Sequence, residues 1–446
     1  MPPPHPPAAG RLGGVSVVLL AVAVAAPAAV EVSAQPAVFL GVGLVLLVFA
    51  TDWVAMARRM PHPGPLYGLV ARGLGRPLGL GAAALTLLSY TAMQLALYAT
   101  VGPAAAPLLA DGPGITVAWW VVALSCWAIV AICGVLPARF VSWLIGTLVL
   151  AELVVIGGYG TANVLAPDGG GADWAALSPE SLADVPRPVL GGLLVAAALA
   201  FAGFEITAVH AGQARHPRRV MHVCVMLLAL LFAAASWAIG GTTPEGALAE
   251  RWAPWMVTGL LAALIALHQV IVRHLVALGR ERVLPAALGR RVPASAVLTV
   301  VAGAVIGGHA YAGAGISRWA GVAGATGILV LVAMTSLAAL LFLGRSPAGE
   351  GLGRRFLAPG LSTIALGVLA HLAVADLRAV LAPAAAAILL GAGYGLALRR
   401  ADPVRYAGIG LGGTAVVVTP SVPALPRQRI PGAHRPERVH SEELTG

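Results

Sequence analysis

The chain contains no lysine; all 28 of its basic residues are arginine. Charge of either sign is scarce, at 10% of 446 residues, where a soluble domain carries about 25%. That scarcity, together with 59% hydrophobic residues and a mean hydropathy of +0.88, excludes an ordinary soluble protein and leaves a polytopic membrane protein. Cysteine is also rare: Cys126, Cys133 and Cys224 each sit inside an apolar run. No disulfide framework or zinc site follows from that spacing. Without lysine there is no G-x-x-x-x-G-K phosphate loop, which argues against ATP-driven work within this chain. No His/Asp or Ser/His pairing at a membrane face suggests an enzyme. The net charge of +10 does not point to nucleic acid, because the arginines are spread by membrane side rather than gathered in one patch.

What the chain has in abundance is apolar runs of membrane length. A spanning helix needs about 20 mainly apolar residues. On that basis the sequence predicts twelve: 15–35, 37–57, 79–108, 116–136, 140–165, 189–211, 221–242, 254–274, 294–313, 319–343, 356–375 and 379–398. Arginine placement supports the count. With both termini in the cytoplasm, only Arg187, Arg251, Arg318 and Arg378 fall outside, and the other 24 lie inside. A missed or spurious span in the middle would invert half of that pattern. A cleavable leader ending near Val32-Ser33-Ala34 is the competing reading and would leave eleven spans; Pro27 and Glu31 sit poorly in such a segment. Residues 1–14 and 401–446, rich in proline, glycine or charge, read as solvated tails around a membrane-embedded body at 15–400.

Residues 200–219, AFAGFEITAVHAGQARHPRR, are the most informative stretch. Gly203 weakens a helix by about 1 kcal/mol relative to alanine. Glu205 at bilayer depth costs roughly 2.5 kcal/mol or more. A membrane helix tolerates both where its backbone opens onto a protein-lined cavity, which predicts a break in the sixth span.

Three patches together resemble the amino acid–polyamine–organocation permeases. They are FATDWVAMARRMPHPGPLYGLVARGLGRPLG at 49–79, the GFE of 203–205 with its downstream H-P-R-R, and LHQVIVRHLVALGRERVLPAALGRR at 267–291. The resemblance covers about 15–400. It implies an all-α integral membrane protein of the 5+5 inverted-repeat, LeuT-like fold, with repeat one at about 15–165 and repeat two at about 189–343. Helices 1 and 6 would be broken, and two further helices at 356–398 would follow. It also implies a plasma (inner) membrane secondary transporter of an amino acid or related amine, with proton coupling or exchange and no cofactor. Substrate would lie between the two breaks, at Ala25, Ala26, Pro27 and Ala28 of helix 1 and at Phe201, Ala202, Gly203 and Phe204 of helix 6. Where the family has glycines in helix 1, this chain has only Pro27.

Other candidates follow from the residues themselves. Thr86, Tyr90, Gln94 and Tyr98 recur every fourth residue and so share one face of the third span. Tyr90 and Gln94 on that face, with His268 and Gln269 of the eighth span, are candidate substrate contacts. Glu205 is a structural anchor for the break or a coupling group. Glu152, mid-span in the fifth helix, is the candidate coupling proton carrier. Asp52 is expected to pair with Arg59 or another arginine, and Arg273 and His274 to snorkel from the end of their helix. The partners expected are a small-molecule substrate and the lipid bilayer; the oligomeric state is left open. A membrane sensor or scaffold built on a degenerate permease fold, which binds without moving solute, is the competing function.

Overall fold

A computed structural model describes residues 14–25, 35–59, 65–112, 114–165, 174–209, 217–239, 247–312, 318–345, 351–376 and 378–411. The described residues form helices and no strand. Among the described residues nine helices are long and apolar enough to cross a membrane, and three shorter apolar helices bring the number to the twelve expected.

Repeat one comprises α1 (Gly14–Ala25), α2 (Pro36–Ala57), α4 (Arg76–Asp111), α5 (Trp119–Val135) and α6 (Ala138–Leu165), with a short α3 (Leu66–Gly73) between α2 and α4. Repeat two comprises the divided pair α7 (Arg187–Ala200) and α8 (Ile206–Val209), then α9 (Pro217–Ile239), α10 (Ala247–Arg280), α11 (Arg291–Ala312) and α12 (Arg318–Arg345). Helices α13 (Ala358–Asp376), α14 (Arg378–Ala401) and α15 (Pro403–Gly408) end the described chain. Proline at the first turn starts α2, α4 and α7, where its missing N–H has no intrahelical partner to lose. At 1.5 Å per residue, the 36 residues of α4 reach about 54 Å, well beyond a hydrocarbon core of about 30 Å, so this helix is long enough to span it at a tilt.

The neighbours obey the symmetry of the repeat. α2 packs on α9, α4 on α10, and α5 on α11, each pair being one helix and its counterpart. The contact of α4 with α12 is matched by that of α10 with α6. The contacts of α1 with α9 and α6 are matched by those of α7 with α2 and α12. The two halves therefore interlock through α4 and α10, with α1 and α7–α8 enclosed between them. Outside the repeats, α14 lies along α4, and α13 closes against α2 and α12.

The sixth span is divided around Gly203, as its sequence predicts. Two expectations change. The linker between the second and third spans folds into α3, seven of whose eight residues are buried. The C-terminal tail does not begin at 401: Asp402 caps α15 through Arg405 N, and Gly408, Ile409 and Gly410 are buried. Arg76 holds this segment from α4, donating to Ala407 O at 3.2 Å and lying 5.4 Å over the Tyr406 ring.

Candidate functional site

Helix α7 ends at Ala200 because the chain turns through 201–205 on single-turn bonds, Ala202 N to Leu199 O and Phe204 N to Phe201 O. Gly203 adopts φ +123°, a backbone region that side chains rarely enter, and its N–H leaves the helical ladder. Glu205 takes up that N–H: Gly203 N donates to Glu205 Oε2 at 2.8 Å. The Tyr90 hydroxyl, from α4, donates to Glu205 Oε1 at 2.7 Å. Tyr90 and Glu205 are each 1% exposed. A buried backbone donor without an acceptor costs roughly 1–3 kcal/mol, so the carboxylate stabilises the break by supplying what the interrupted helix lacks.

The break also touches α1. A Cβ on Gly203 would stand 3.0 Å from Val24 Cβ and Cγ1 and 3.3 Å from Ala21 O. Phe204 meets the Phe49 ring edge-on at 5.8 Å, and Phe201 meets Phe232 at 5.2 Å, so both aromatic flanks are packed. Ala25, the last described residue of α1, is buried beside this contact; Ala26, Pro27 and Ala28 lie outside the described residues, as does Glu31.

The chain shares the fold of a broken-helix membrane transporter. A glutamate-to-alanine mutant of the manganese transporter of Eremococcus coleocola aligns with a TM-score of 0.52 and 13% identity over 89% of this chain and 94% of that one. No family model matches the chain, and no curated protein matches it in sequence. The comparison thus supports the LeuT-like fold and does not single out the amino acid–polyamine–organocation permeases.

The face expected on α4 is real: Thr86, Tyr90, Gln94 and Tyr98 are all buried. Only two of them reach other helices through side-chain hydrogen bonds in the described residues. One turn along from Tyr90, Gln94 Nε2 meets His268 Nδ1 of α10 at 3.5 Å, and His268 Nε2 meets Ser295 Oγ of α11 at 2.9 Å. Gln94 Oε1 has no hydrogen-bond partner among the described residues. Thr86 instead bonds back to Ala82 O within its own helix.

Gln269 has different partners from His268. Its amide nitrogen donates to Cys133 O at 3.1 Å and its oxygen accepts from Arg291 at 2.7 Å, so it meets α5 and α11 without a bond to Gln94 of α4. Glu152 is buried against the backbone of Gly259 on α10, so close that a Cβ there would collide with its carboxylate, and its Oε2 is unpartnered among the described residues. Gly259 is nine residues from His268, about 13 Å along α10, so Glu152 does not join the Gln94–His268–Ser295 chain.

Two expectations fail. Among the described residues Asp52 pairs with no arginine; it accepts from Ser362 Oγ at 2.5 Å, and Ser362 in turn contacts Ser336 between α2, α12 and α13. His274 does not snorkel: it is fully buried, with Nε2 3.3 Å from Ala83 O and its ring 5.1 Å from that of Tyr67. The sequence reading missed Ser295 and Ser362, single serines in apolar helices with no spacing signal. It also missed Glu281, whose carboxylate accepts from the Tyr67 hydroxyl at 3.0 Å and Gly410 N at 3.2 Å. Burial, and then the Glu281 carboxylate, hold the Tyr67 hydroxyl well above its ordinary pKa of 10.0.

Among the described residues no three His, Cys, Asp or Glu gather into a group that would hold a metal ion. Behind the break, a cavity of about 10 Å³ lies between Val42, Ala202, Phe204, Ile328 and Leu366, with apolar walls and room for no more than about one water molecule. Around the break itself, the described polar groups divide into a closed cap, Tyr90–Glu205–Gly203, and an open chain, Gln94–His268–Ser295, with one acceptor unused.

Proposed function

We propose that the chain is a secondary transporter that moves an amino acid or related amine by alternating access, with proton coupling or exchange as the drive. The observation that carries this reading is the unpartnered Gln94 Oε1, 1% exposed, one turn from the tyrosine that caps the break. A buried acceptor without a donor is costly, and a substrate ammonium supplies donors. The shared fold supports transport, since α1 and the α7–α8 break meet between the two interlocked repeats. Glu152, a second buried acceptor packed against α10, is the proposed proton carrier.

The structural neighbour is a manganese transporter, so a divalent cation belongs in the same test. Glu205 argues against it, because both carboxylate oxygens at the break are already committed. The test is uptake into proteoliposomes of labelled amino acids, amines and Mn²⁺, with and without a pH gradient and under exchange conditions. Saturable uptake of one amine-bearing class, lost in Gln94→Leu protein that still folds, supports the reading. Loss of gradient dependence in Glu152→Gln would assign the coupling group. Uptake of Mn²⁺ alone would overturn the substrate class. Ligand binding without flux would favour a sensor, the reading that the nearly closed space behind the break also permits.

A further inference from the structure

Away from the centre, the arginine-rich end of the molecule holds a cavity of about 490 Å³. Its walls come from three separate parts of the chain: Arg282, Val283, Leu284 and Pro285 after α10, Tyr394 of α14, and Arg405 of α15. Positive-inside reading of the sequence assigns this end to the cytoplasm.

Arg282 is the feature to explain. Helix α10 ends in a Schellman turn, with Val283 N bonded to Leu278 O at 3.0 Å and Arg282 N to Gly279 O at 3.1 Å. The residue in the left-handed position of that turn is by default glycine. Here it is Arg282, at φ 57°, the only non-glycine with positive φ among the described residues. The chain accepts backbone strain to place a guanidinium at the mouth of the cavity. Arg282 is exposed and forms no ion pair among the described residues. Its neighbour Glu281 gives it no compensation there, because that carboxylate is turned inward onto Tyr67 and Gly410 N. Arg405 pairs with Asp402 at 2.8 Å through Nε, with 49% of its side chain exposed, so its terminal nitrogens remain available.

Between the two arginines the lining is mainly apolar: Val283, Leu284, Pro285 and Ala286, with the Tyr394 ring. Tyr394 is half-exposed on α14, whose Leu389 and Leu390 are 70% and 74% exposed. Its hydroxyl donates to Val283 O at 2.9 Å and fixes that wall. Two arginines above an apolar wall at a membrane face match a phosphate ester that carries acyl chains; the guanidinium fork suits phosphate geometry, and basic pockets between helices on this side take anionic headgroups.

We propose that this cavity binds the phosphate headgroup of an anionic phospholipid, held by Arg282 and Arg405. Such a lipid would bridge the α10 turn, α14 and α15, and would fasten the C-terminal segment that Arg76 and Glu281 already hold.

The test is thermal unfolding and native mass spectrometry of the full chain in neutral detergent, with phosphatidylglycerol, phosphatidylcholine or glycerol phosphate added. Phosphatidylglycerol should raise the unfolding temperature and remain bound, and the other two should not. Arg282→Gly relieves the left-handed residue while removing the guanidinium. That variant should be at least as stable as the parent, yet bind phosphatidylglycerol about fivefold to tenfold more weakly. Arg405→Gln should weaken binding, and Arg139→Gln, at an exposed site on another helix, should not. An unchanged response in Arg282→Gly, or an equal loss in Arg139→Gln, would overturn the site. A response to glycerol phosphate equal to that of the lipid would overturn the lipid as its source.

Discussion

Tyr90 and Glu205 allow a sharp test of what holds the broken helix open. Tyr90→Phe removes one hydrogen bond and leaves Glu205 Oε1 as a buried acceptor without a donor. Such a group costs about 1–3 kcal/mol in a protein interior, although interhelical bonds in membranes average nearer 0.6 and rarely exceed about 1.7. The expected loss is therefore about 1–2 kcal/mol. Glu205→Gln should lose less than about 1 kcal/mol, because the amide oxygen can still accept from Gly203 N and the Tyr90 hydroxyl can rotate to accept from the new NH₂. Glu205→Leu has no such escape. It strands the Gly203 N–H and the tyrosine hydroxyl together, and about 3 kcal/mol or more should be lost. The assay is denaturant unfolding in one fixed detergent, followed by tryptophan fluorescence. A double-mutant cycle of Tyr90→Phe with Glu205→Leu, each of which removes the hydrogen bond, then reads the coupling. If Glu205→Gln proved as damaging as Glu205→Leu, or the two single effects simply added, the cap would not be what sustains the break.

Gly203→Ala places a methyl 3.0 Å from Val24 at a backbone angle alanine avoids; it should destabilise by about 1–3 kcal/mol in the same unfolding assay and lower the yield of folded protein. Ser295→Ala should cost about 1 kcal/mol by stranding His268 Nε2, and should weaken substrate binding if the Gln94–His268 chain lines the site. Docking of the C-terminal segment should depend on alkaline pH. The Tyr67 hydroxyl is harder to ionise in the fold than in the unfolded chain, so its contribution is complete below pH 10.0 and is lost as pH rises towards the folded value. Limited trypsin cleavage at Arg405 should therefore accelerate above that pH, and in Tyr67→Phe the acceleration attributable to Tyr67 should disappear.

Sequence alone fixed the coarse architecture, because a bilayer imposes simple rules. Backbone polar groups must be satisfied within each span, so apolar runs of about 20 residues become helices. The order of those runs gave the helix sequence seen in the fold. Gly203 and Glu205 were legible for the same reason: each is costly in a membrane helix unless the backbone opens, and the break falls on them.

Tertiary structure decided everything that depends on which face of a helix meets which neighbour. Neighbouring residues on a helix point about 100° apart, so His268 reaches Gln94 and Ser295 while Gln269 meets Cys133 and Arg291. Asp52 could have paired with a nearby arginine, but its neighbour in space is Ser362, 310 positions on. The carboxylate of Glu281 gathers Tyr67 and Gly410 from opposite ends of the chain and turns a segment that reads as a solvated tail into a docked one. Composition and periodicity carry the one-dimensional cost of entering a membrane. The pairing of buried polar groups is set by distances between helices, which a single sequence does not contain.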